Sequence, residues 1–123
     1  DYVLLLNTDV DVPPGWLRPL VAALEAEPDV AAVQPKLLQY RQRDQFEYAG
    51  GAGGFLDRYG YPFTRGRLFA SLEADQGQYD DARDICWATG AALLLRRQCP
   101  ELRCGRVVVP AWAYEGLPFT SSP

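Results

Sequence analysis

The sequence contains no histidine among its 123 residues. This absence excludes imidazole metal sites within the chain, and it excludes the Ser-His and Cys-His pairs of nucleophilic catalysis. Catalytic proton transfer would have to be carried out by carboxylates, tyrosine, lysine or cysteine. Methionine is absent too, even at position 1, and we expect the chain to begin inside a larger domain.

Cysteine is scarce as well, with three residues at positions 86, 99 and 104. An odd number without histidine cannot complete the usual four-ligand zinc site. We interpret Cys86, Cys99 and Cys104 as reduced thiols that are structural or incidental.

The charge balance favours neither a nucleic acid nor a membrane span. Twelve basic and 16 acidic side chains give a net charge of −4, whereas nucleic-acid binding needs a basic surface. The uncharged run at residues 85–95 is much shorter than the roughly 20 residues that cross a bilayer as a helix. A hydrophobic fraction of 48% is too high for a disordered chain.

The first third of the chain has the pattern of a βαβ unit. The continuous apolar run at residues 2–6 is typical of a parallel strand buried on both faces. Residues 16–27 carry apolar side chains at helical spacing, and Pro28 ends that helix. Val30 to Val33 follows as the next strand. We therefore predict an α/β fold with a mostly parallel sheet.

Beyond Lys36 the pattern is looser. Residues 37–40 favour a short strand, residues 50–54 a glycine-rich loop, and residues 57–84 a long irregular stretch of the kind that often serves function. A second buried strand is expected over residues 86–95.

Asp9 and Asp11 are the main candidates for chemistry. They follow the first predicted strand, at the position where open α/β sheets bind ligands. In extended chain their side chains project to one face about 7 Å apart, where they can share a hard cation such as Mg²⁺ or Mn²⁺. The alternative is a solvated loop whose aspartates tighten a turn or cap the helix.

Other candidates each have an ordinary structural interpretation. The glycines at 50–54 could cradle a phosphate but lack the flanking residues of the known phosphate loops, which favours a turn or a substrate-facing loop. Arg65 and Arg67 could bind an anion, or pair at the surface with Glu73 or Asp75. Trp87 could be core or a platform for a sugar ring.

Several stretches in a fixed order resemble the family 2 glycosyltransferases of the GT-A fold. They are the strand with its D-x-D, Pro-Pro-Gly-Trp-Leu, Pro-Lys, the glycine loop and Trp-x-x-Gly-Ala, within residues 4–17, 33–38, 49–57, 59–62, 65–67, 73–79 and 87–92. The similarity covers about residues 1–97. It implies a partial GT-A domain, Rossmann-like with a mostly parallel sheet and truncated at both ends.

The resemblance implies an inverting, metal-dependent hexosyltransferase that moves a sugar from a nucleotide diphosphate donor to the hydroxyl of a saccharide or lipid-linked acceptor. Asp9 and Asp11 would hold Mg²⁺ or Mn²⁺. The donor and acceptor would contact Asn7, Asp9, Trp87, Gly90 and Ala91. The family resemblance also implies a cytoplasmic protein, either free or peripheral at the inner face of the membrane.

Two parts expected of that family are missing from the sequence. The half that binds the nucleotide base would precede Asp1, and the acidic segment that supplies the general base would follow Arg97. Residues 98–123 instead form an atypical tail with four prolines and no aspartate, which suggests a frameshifted or disordered segment. The catalytic base is therefore unassigned, and we expect the isolated chain to be inactive. The alternative function is a non-catalytic α/β module that binds a cation or small ligand.

Overall fold

The one helix of the described residues, α1, spans Leu17–Ala26. Its apolar positions recur every three to four residues, so one face of the helix is buried. Leu20 and Leu24 have no exposed surface. The helix begins after a turn at Gly15, whose φ of 77° favours glycine, and it ends before Pro28. The helix predicted over 16–27 is confirmed to within a residue at each end.

The structure is a computed structural model, and it describes residues 1–98, 105–110 and 119–121. Twelve short strands lie in this part of the chain. They are β1 (Tyr2–Leu6), β2 (Val10–Asp11), β3 (Val30–Val33), β4 (Leu37–Gln39), β5 (Gly54–Leu56), β6 (Pro62–Thr64), β7 (Arg67–Leu68), β8 (Ser71–Leu72), β9 (Arg83–Ile85), β10 (Ala92–Arg96), β11 (Arg106–Val109) and β12 (Phe119–Ser121).

The main sheet has five strands in the order β1-β10-β3-β11-β9. Strand β10 runs antiparallel to both β1 and β3, and β11 runs parallel to β3 but antiparallel to β9. Three of the four neighbouring pairs are therefore antiparallel. The longest pairing joins β1 to β10 over five positions, from Tyr2 opposite Arg96 to Leu6 opposite Ala92.

Smaller sheets make up the rest of the described chain. Strand β12 lies between β2 and β4, which joins the segment after β1 to the segment after β3. Two hairpins, β5 with β6 and β7 with β8, occupy much of the stretch predicted to be irregular. Positive φ angles at Gly60 and Gly66 allow the tight turns around them.

The core lies between α1 and one face of the main sheet. Leu20 and Leu24 of the helix pack with buried side chains of three strands, Val30, Val33, Leu94 and Val108. Each such side chain contributes about 1.5 to 3 kcal/mol when it is removed from water. One short helix covers one face only, and this explains the exposure of β1, where Val3 and Leu5 are each 44% exposed.

The prediction of an α/β, Rossmann-like GT-A domain with a mostly parallel sheet is wrong. The described chain is mostly strands with one short helix, in a mixed sheet dominated by antiparallel pairs. The apolar run at Tyr2–Leu6 suggested a central strand, yet among the described residues β1 is at the end of the sheet and pairs on one side only. An uninterrupted apolar run does not determine strand direction, because parallel and antiparallel neighbours accept it equally.

Candidate functional site

The two aspartates of the D-x-D lie in a turn and a short strand directly after β1. The N–H of Val10 donates to the carbonyl of Asn7 at 3.3 Å and closes the turn over Thr8 and Asp9. Asp11 then lies in β2, which pairs with β12. The prediction that Asp9 and Asp11 follow the first strand is confirmed. Their projection to one face assumed extended chain, and the turn interrupts it, so that part stays a prediction.

Apolar contacts fix the backbone that carries these carboxylates. Val10 and Val12 are half-buried and pack against the buried side chains of Leu37 and Ala92. Asp9 and Asp11 lie exposed beside them. The alternation places apolar side chains inward and leaves the carboxylates in water, where a ligand can reach them.

The start of β10 lies beside residues 7–11, which we call the acidic turn. The N–H of Asn7 donates to the carbonyl of Ala91 at 2.9 Å, which places the end of β1 against Gly90 and Ala91. Gly90 is exposed, and a Cβ added to it would have no atom within 4 Å. Three of the predicted donor- or acceptor-binding residues, Asn7, Gly90 and Ala91, thus come together next to Asp9.

The side chain of Arg43 forms an ion pair with Asp11. The guanidinium of Arg43 lies 3.1 Å from Oδ2 of Asp11, with side-chain exposures of 38% and 54%. Because both groups are in water, this ion pair is weak, of the order of 1 kcal/mol or less. No sequence pattern predicts this contact, since Arg43 lies in the polar segment after β4, 32 positions from Asp11.

The acidic turn carries two exposed carboxylates, Asp9 and Asp11, which are the predicted metal ligands. Among the described residues, no group of three or more Cys, Asp or Glu side chains is placed to hold an ion. Mg²⁺ commonly binds one or two carboxylates and takes its remaining oxygens from water and substrate phosphates. Asp9 and Asp11 fit this kind of open site, and they do not fit a closed site made entirely of protein ligands.

Trp87 packs against the backbone at Gly54. A Cβ on Gly54 would lie 2.1 Å from Cδ2 and Cε2 of the indole, so only glycine fits there. The indole Nε1 is buried and has no hydrogen-bond partner among the described residues. These contacts agree with Trp87 as a packing residue, and its role as a platform for a sugar ring stays a prediction.

The glycine-rich segment is buried rather than open. Residues 50–54 are all buried, and side chains of Thr89, Ile85 and Trp87 lie where Cβ atoms would stand on Gly50, Gly53 and Gly54. Close packing therefore accounts for these glycines.

Gln34 connects this segment to the site, and the sequence analysis missed it. Its side chain is fully buried; Nε2 donates to the carbonyl of Gly50 at 3.2 Å, and Oε1 accepts from the N–H of Thr89 at 2.8 Å. Thr89 directly precedes Gly90, so Gln34 holds the approach to β10 in place. A lone glutamine after an apolar strand carries no pattern that would predict this.

Lys36 forms a buried ion cluster that was also missed. Its Nζ lies 2.6 Å from a carboxylate oxygen of Asp75 and 2.6 Å from one of Asp80. The lysine side chain is 5% exposed. The cluster holds the segment after β3 against residues 75–80.

The two arginines at 65 and 67 have different surroundings. Arg65 lies 3.0 Å from Asp81 and its guanidinium is over the rings of Phe55 and Tyr79. Arg67 lies over the ring of Tyr48, 4.2 Å from its centroid. Neither contacts Glu73 or Asp75, so that predicted pairing is wrong.

Tyr79, Asp81 and Asp84 have shifted pKa values. The pKa of Tyr79 is raised, chiefly because its hydroxyl donates to Glu73 at 2.7 Å. Hydrogen bonds from Arg83 lower the pKa of Asp81, and those from Arg106 lower the pKa of Asp84. All three shifts arise in structural pairs.

Some residues considered in the sequence analysis lie outside the part of the chain that the structure describes. Cys99 and Cys104 are among them, whereas Cys86 is an exposed free thiol. Most of the segment expected to carry a general base is also outside, although β11 and β12 of that tail pair with β3 and β4. Within the described chain, no helix has the length and apolarity to cross a membrane.

Comparisons of the chain with protein-family models, curated proteins and solved structures find no match. The resemblance to the family 2 glycosyltransferases is therefore wrong as an assignment, since neither a family model nor the architecture of the sheet supports it. The D-x-D and the short motifs after it are too brief to establish a family by themselves.

Proposed function

We propose that Asp9 and Asp11 bind Mg²⁺ or Mn²⁺ together with the diphosphate of a nucleotide-sugar donor. The chain would contribute this part of the site to the transfer of the sugar to the hydroxyl of a saccharide or lipid-linked acceptor. The observation that carries the proposal is the combination of a backbone anchored by Val10 and Val12 with two exposed carboxylates in an open turn.

The two carboxylates of the turn support a metal ion that is shared with a ligand rather than one enclosed entirely by protein. Two carboxylates leave most coordination positions of Mg²⁺ to other oxygens, and a diphosphate is a suitable source of them. Negative charge grows on the diphosphate when it leaves the sugar, and a cation held there stabilises that charge. Arg43 would be displaced from Asp11 or would turn to the phosphate, and the weakness of the exposed pair allows either.

The backbone at Gly90 and Ala91 leaves space beside the acidic turn for the rest of the donor or for the acceptor. Gly90 is open to solvent, and Ala91 is tied to Asn7 by the 2.9 Å hydrogen bond. We include Asn7, Gly90 and Ala91 in the proposed binding region and keep Trp87 as a more distant candidate. No residue is assigned as the general base.

A titration of the chain with Mn²⁺, with and without a nucleoside diphosphate, tests the proposal. We expect tight Mn²⁺ binding only when the diphosphate is present, and we expect Asp11→Ala to abolish it. The matched control is Glu25→Gln, which removes one exposed carboxylate from α1 and should leave binding unchanged. Electron paramagnetic resonance of free Mn²⁺ measures the bound fraction directly.

The same titration distinguishes the alternatives. Binding of Mn²⁺ without any effect of diphosphate would favour a non-catalytic cation-binding module over a transferase. Absence of binding under both conditions would refute both, and the acidic turn would then be structural. Transfer of sugar by the chain unaided would contradict our expectation that the isolated chain is inactive.

The compartment is also a proposal. The described residues lack a membrane-crossing helix, and we place the protein in the cytoplasm, free or at the inner face of the membrane. A fluorescent fusion examined together with membrane fractionation separates these two locations.

A further inference from the structure

The two hairpins form an exposed apolar surface around a cavity of about 350 Å³. We call it the hairpin surface and define it by six residues: Tyr61, Pro62, Phe63, Arg67, Leu68 and Phe69. It is contributed by β6, β7 and the turns beside them, and it contains none of the residues of the acidic turn.

The side chains of this surface are unusually exposed for their type. Phe69 is 89% exposed, Tyr61 70% and Leu68 65%. Scattered single apolar residues are normal on a protein surface, but these surround one cavity. A contiguous apolar patch of this kind marks an interaction site more often than a free surface.

The backbone at Phe69, whose ring is exposed, is strained. Leu68 pairs with Ser71, so Phe69 and Ala70 form the two-residue turn between β7 and β8. Phe69 has a φ of 54°, in the left-handed region where glycine or asparagine is usual. A bulky residue there costs of the order of 1 to 3 kcal/mol, and such strain is concentrated at functional positions.

Positive charge lies at the edge of the same surface. Arg67 lies over Tyr48, and Arg58 lies over Tyr59, with distances to the ring centroids of 4.2 and 4.6 Å. Neither arginine forms an ion pair with any described residue, unlike Arg65 and Arg106. Asp57 is the acidic residue at the cavity, and its Oδ1 accepts from the N–H groups of Tyr59 and Tyr61.

We propose that the hairpin surface docks on a lipid bilayer that contains anionic lipids. Leu68 and Phe69 enter the boundary between headgroups and acyl chains, and Arg58 and Arg67 contact lipid phosphates. The tyrosines at 59 and 61 suit the interface, where aromatic rings with a polar end are favoured. The charge complementarity selects this partner. Two arginines that form no ion pair within the described part of the chain lie beside an apolar tip, and this combination matches an anionic bilayer, although the chain as a whole carries −4.

Sedimentation of the full chain with vesicles tests the proposal. The two vesicle preparations are phosphatidylcholine alone and phosphatidylcholine mixed with phosphatidylglycerol. We expect binding to the mixed vesicles that weakens as salt is added, because the arginine contribution is screened. Phe69→Ser should reduce binding by about tenfold or more, because the variant lacks the favourable free energy of moving the ring from water into the bilayer. Arg58→Gln and Arg67→Gln should each reduce binding by about fivefold and flatten the salt dependence.

Matched controls distinguish binding through the hairpin surface from non-specific binding to vesicles. Tyr40→Ser removes a 45% exposed ring that also lies under an arginine, Arg43, but belongs to another surface. Arg18→Gln removes one exposed positive charge from α1. Both variants should bind as the unchanged chain does. Circular dichroism of all variants confirms that each is folded.

The proposal is overturned if Phe69→Ser binds the mixed vesicles as tightly as the unchanged chain. It is equally overturned if the chain binds neither preparation, or binds both alike; the hairpin surface would then serve a protein partner or none. Docking of the hairpin surface on a bilayer would support the peripheral location proposed above, and it is independent of sugar transfer. Loss of Mn²⁺ and diphosphate binding and loss of vesicle binding are measured separately, so either proposal can fail alone.

Discussion

The ammonium group of Lys36 lies 2.6 Å from a carboxylate oxygen of Asp75, and the lysine side chain is 5% exposed. A second carboxylate, of Asp80, lies at the same distance. An ion pair with so little solvent around it is not guaranteed to stabilise a fold, because both charges lose their hydration. Removal of one partner, however, leaves an uncompensated charge in the interior.

We expect the three members of this cluster to differ in a predictable order. Lys36→Met leaves two neighbouring carboxylates without their cation and should lower the free energy of unfolding by about 3 kcal/mol or more. Asp75→Asn should cost nearly as much, because Asp75 is 14% exposed. Asp80→Asn should cost about 1 kcal/mol, since Asp80 is 40% exposed and water replaces part of the interaction. Urea denaturation gives all three values, and a larger effect at Asp80 than at Asp75 would contradict the argument.

Gln34 should be the most sensitive uncharged polar position. Gln34→Leu removes two hydrogen bonds and leaves the N–H of Thr89 without its acceptor, whereas the carbonyl of Gly50 still accepts from the N–H of Gly53 at 3.0 Å. An unsatisfied buried polar group costs about 1 to 3 kcal/mol, so we expect a loss of at least that size. Gln42→Leu is the control, because Gln42 is exposed. Hydrogen exchange should also become faster at Thr89 in the Gln34 variant and remain unchanged in the control.

Gly54 and Trp87 should show a strong coupling. A methyl group on Gly54 overlaps the indole, so Gly54→Ala should destabilise the fold by about 1 to 3 kcal/mol. Trp87→Leu removes the overlapping atoms, and Gly54→Ala made in that background should cost clearly less. Gly90→Ala provides the contrast: nothing lies within 4 Å of its added Cβ, and we expect a change within about 0.5 kcal/mol. Equal costs at Gly54 in both backgrounds would show that the overlap is relieved elsewhere.

The helix and the strands next to it could be predicted because their signals are local. The spacing of Leu20 and Leu24 determines which face of α1 is buried, and Pro28 marks its end. Strands β3 and β4 lie within the predicted ranges. The direction of β10 could not be predicted, because it depends on pairing with β1 about 90 positions earlier, and the apolar run Ala92–Leu95 fits either direction.

The candidate site was predictable to the same extent. The position of Asp9 and Asp11 after a strand follows from the local order of the sequence. The side chains that organise their surroundings, Arg43 and Gln34, reach the site through tertiary contacts of 32 and 55 positions. No short-range pattern encodes such contacts, so residue type and spacing alone could not identify them.

Acid should weaken the fold through the pair of Asp84 and Arg106. Hydrogen bonds from Arg106 lower the pKa of Asp84 below its ordinary value of 3.8. The stability that this pair supplies is therefore present above that ordinary value and is lost as the pH falls through the lower pKa of the folded state. Thermal denaturation of the unchanged chain and of Asp84→Asn should differ at neutral pH and converge in strong acid. Asp44→Asn, which removes an exposed carboxylate elsewhere in the chain, should not reproduce this pattern.

The outer edge of β1 should govern self-association. Strand β1 pairs only with β10 among the described residues, and its side chains at Val3, Leu4, Leu5 and Leu6 are 36 to 44% exposed. An uncharged apolar strand at a sheet edge presents free N–H and carbonyl groups to another copy, and nothing in its sequence opposes that pairing. We expect Leu5→Lys to reduce concentration-dependent light scattering, because charge at an edge disfavours strand addition. Leu68→Lys adds the same charge to an exposed residue of the hairpin surface and should leave scattering at the level of the unchanged chain. Reduced scattering in this variant but not in Leu5→Lys would show that the hairpins rather than β1 mediate the association.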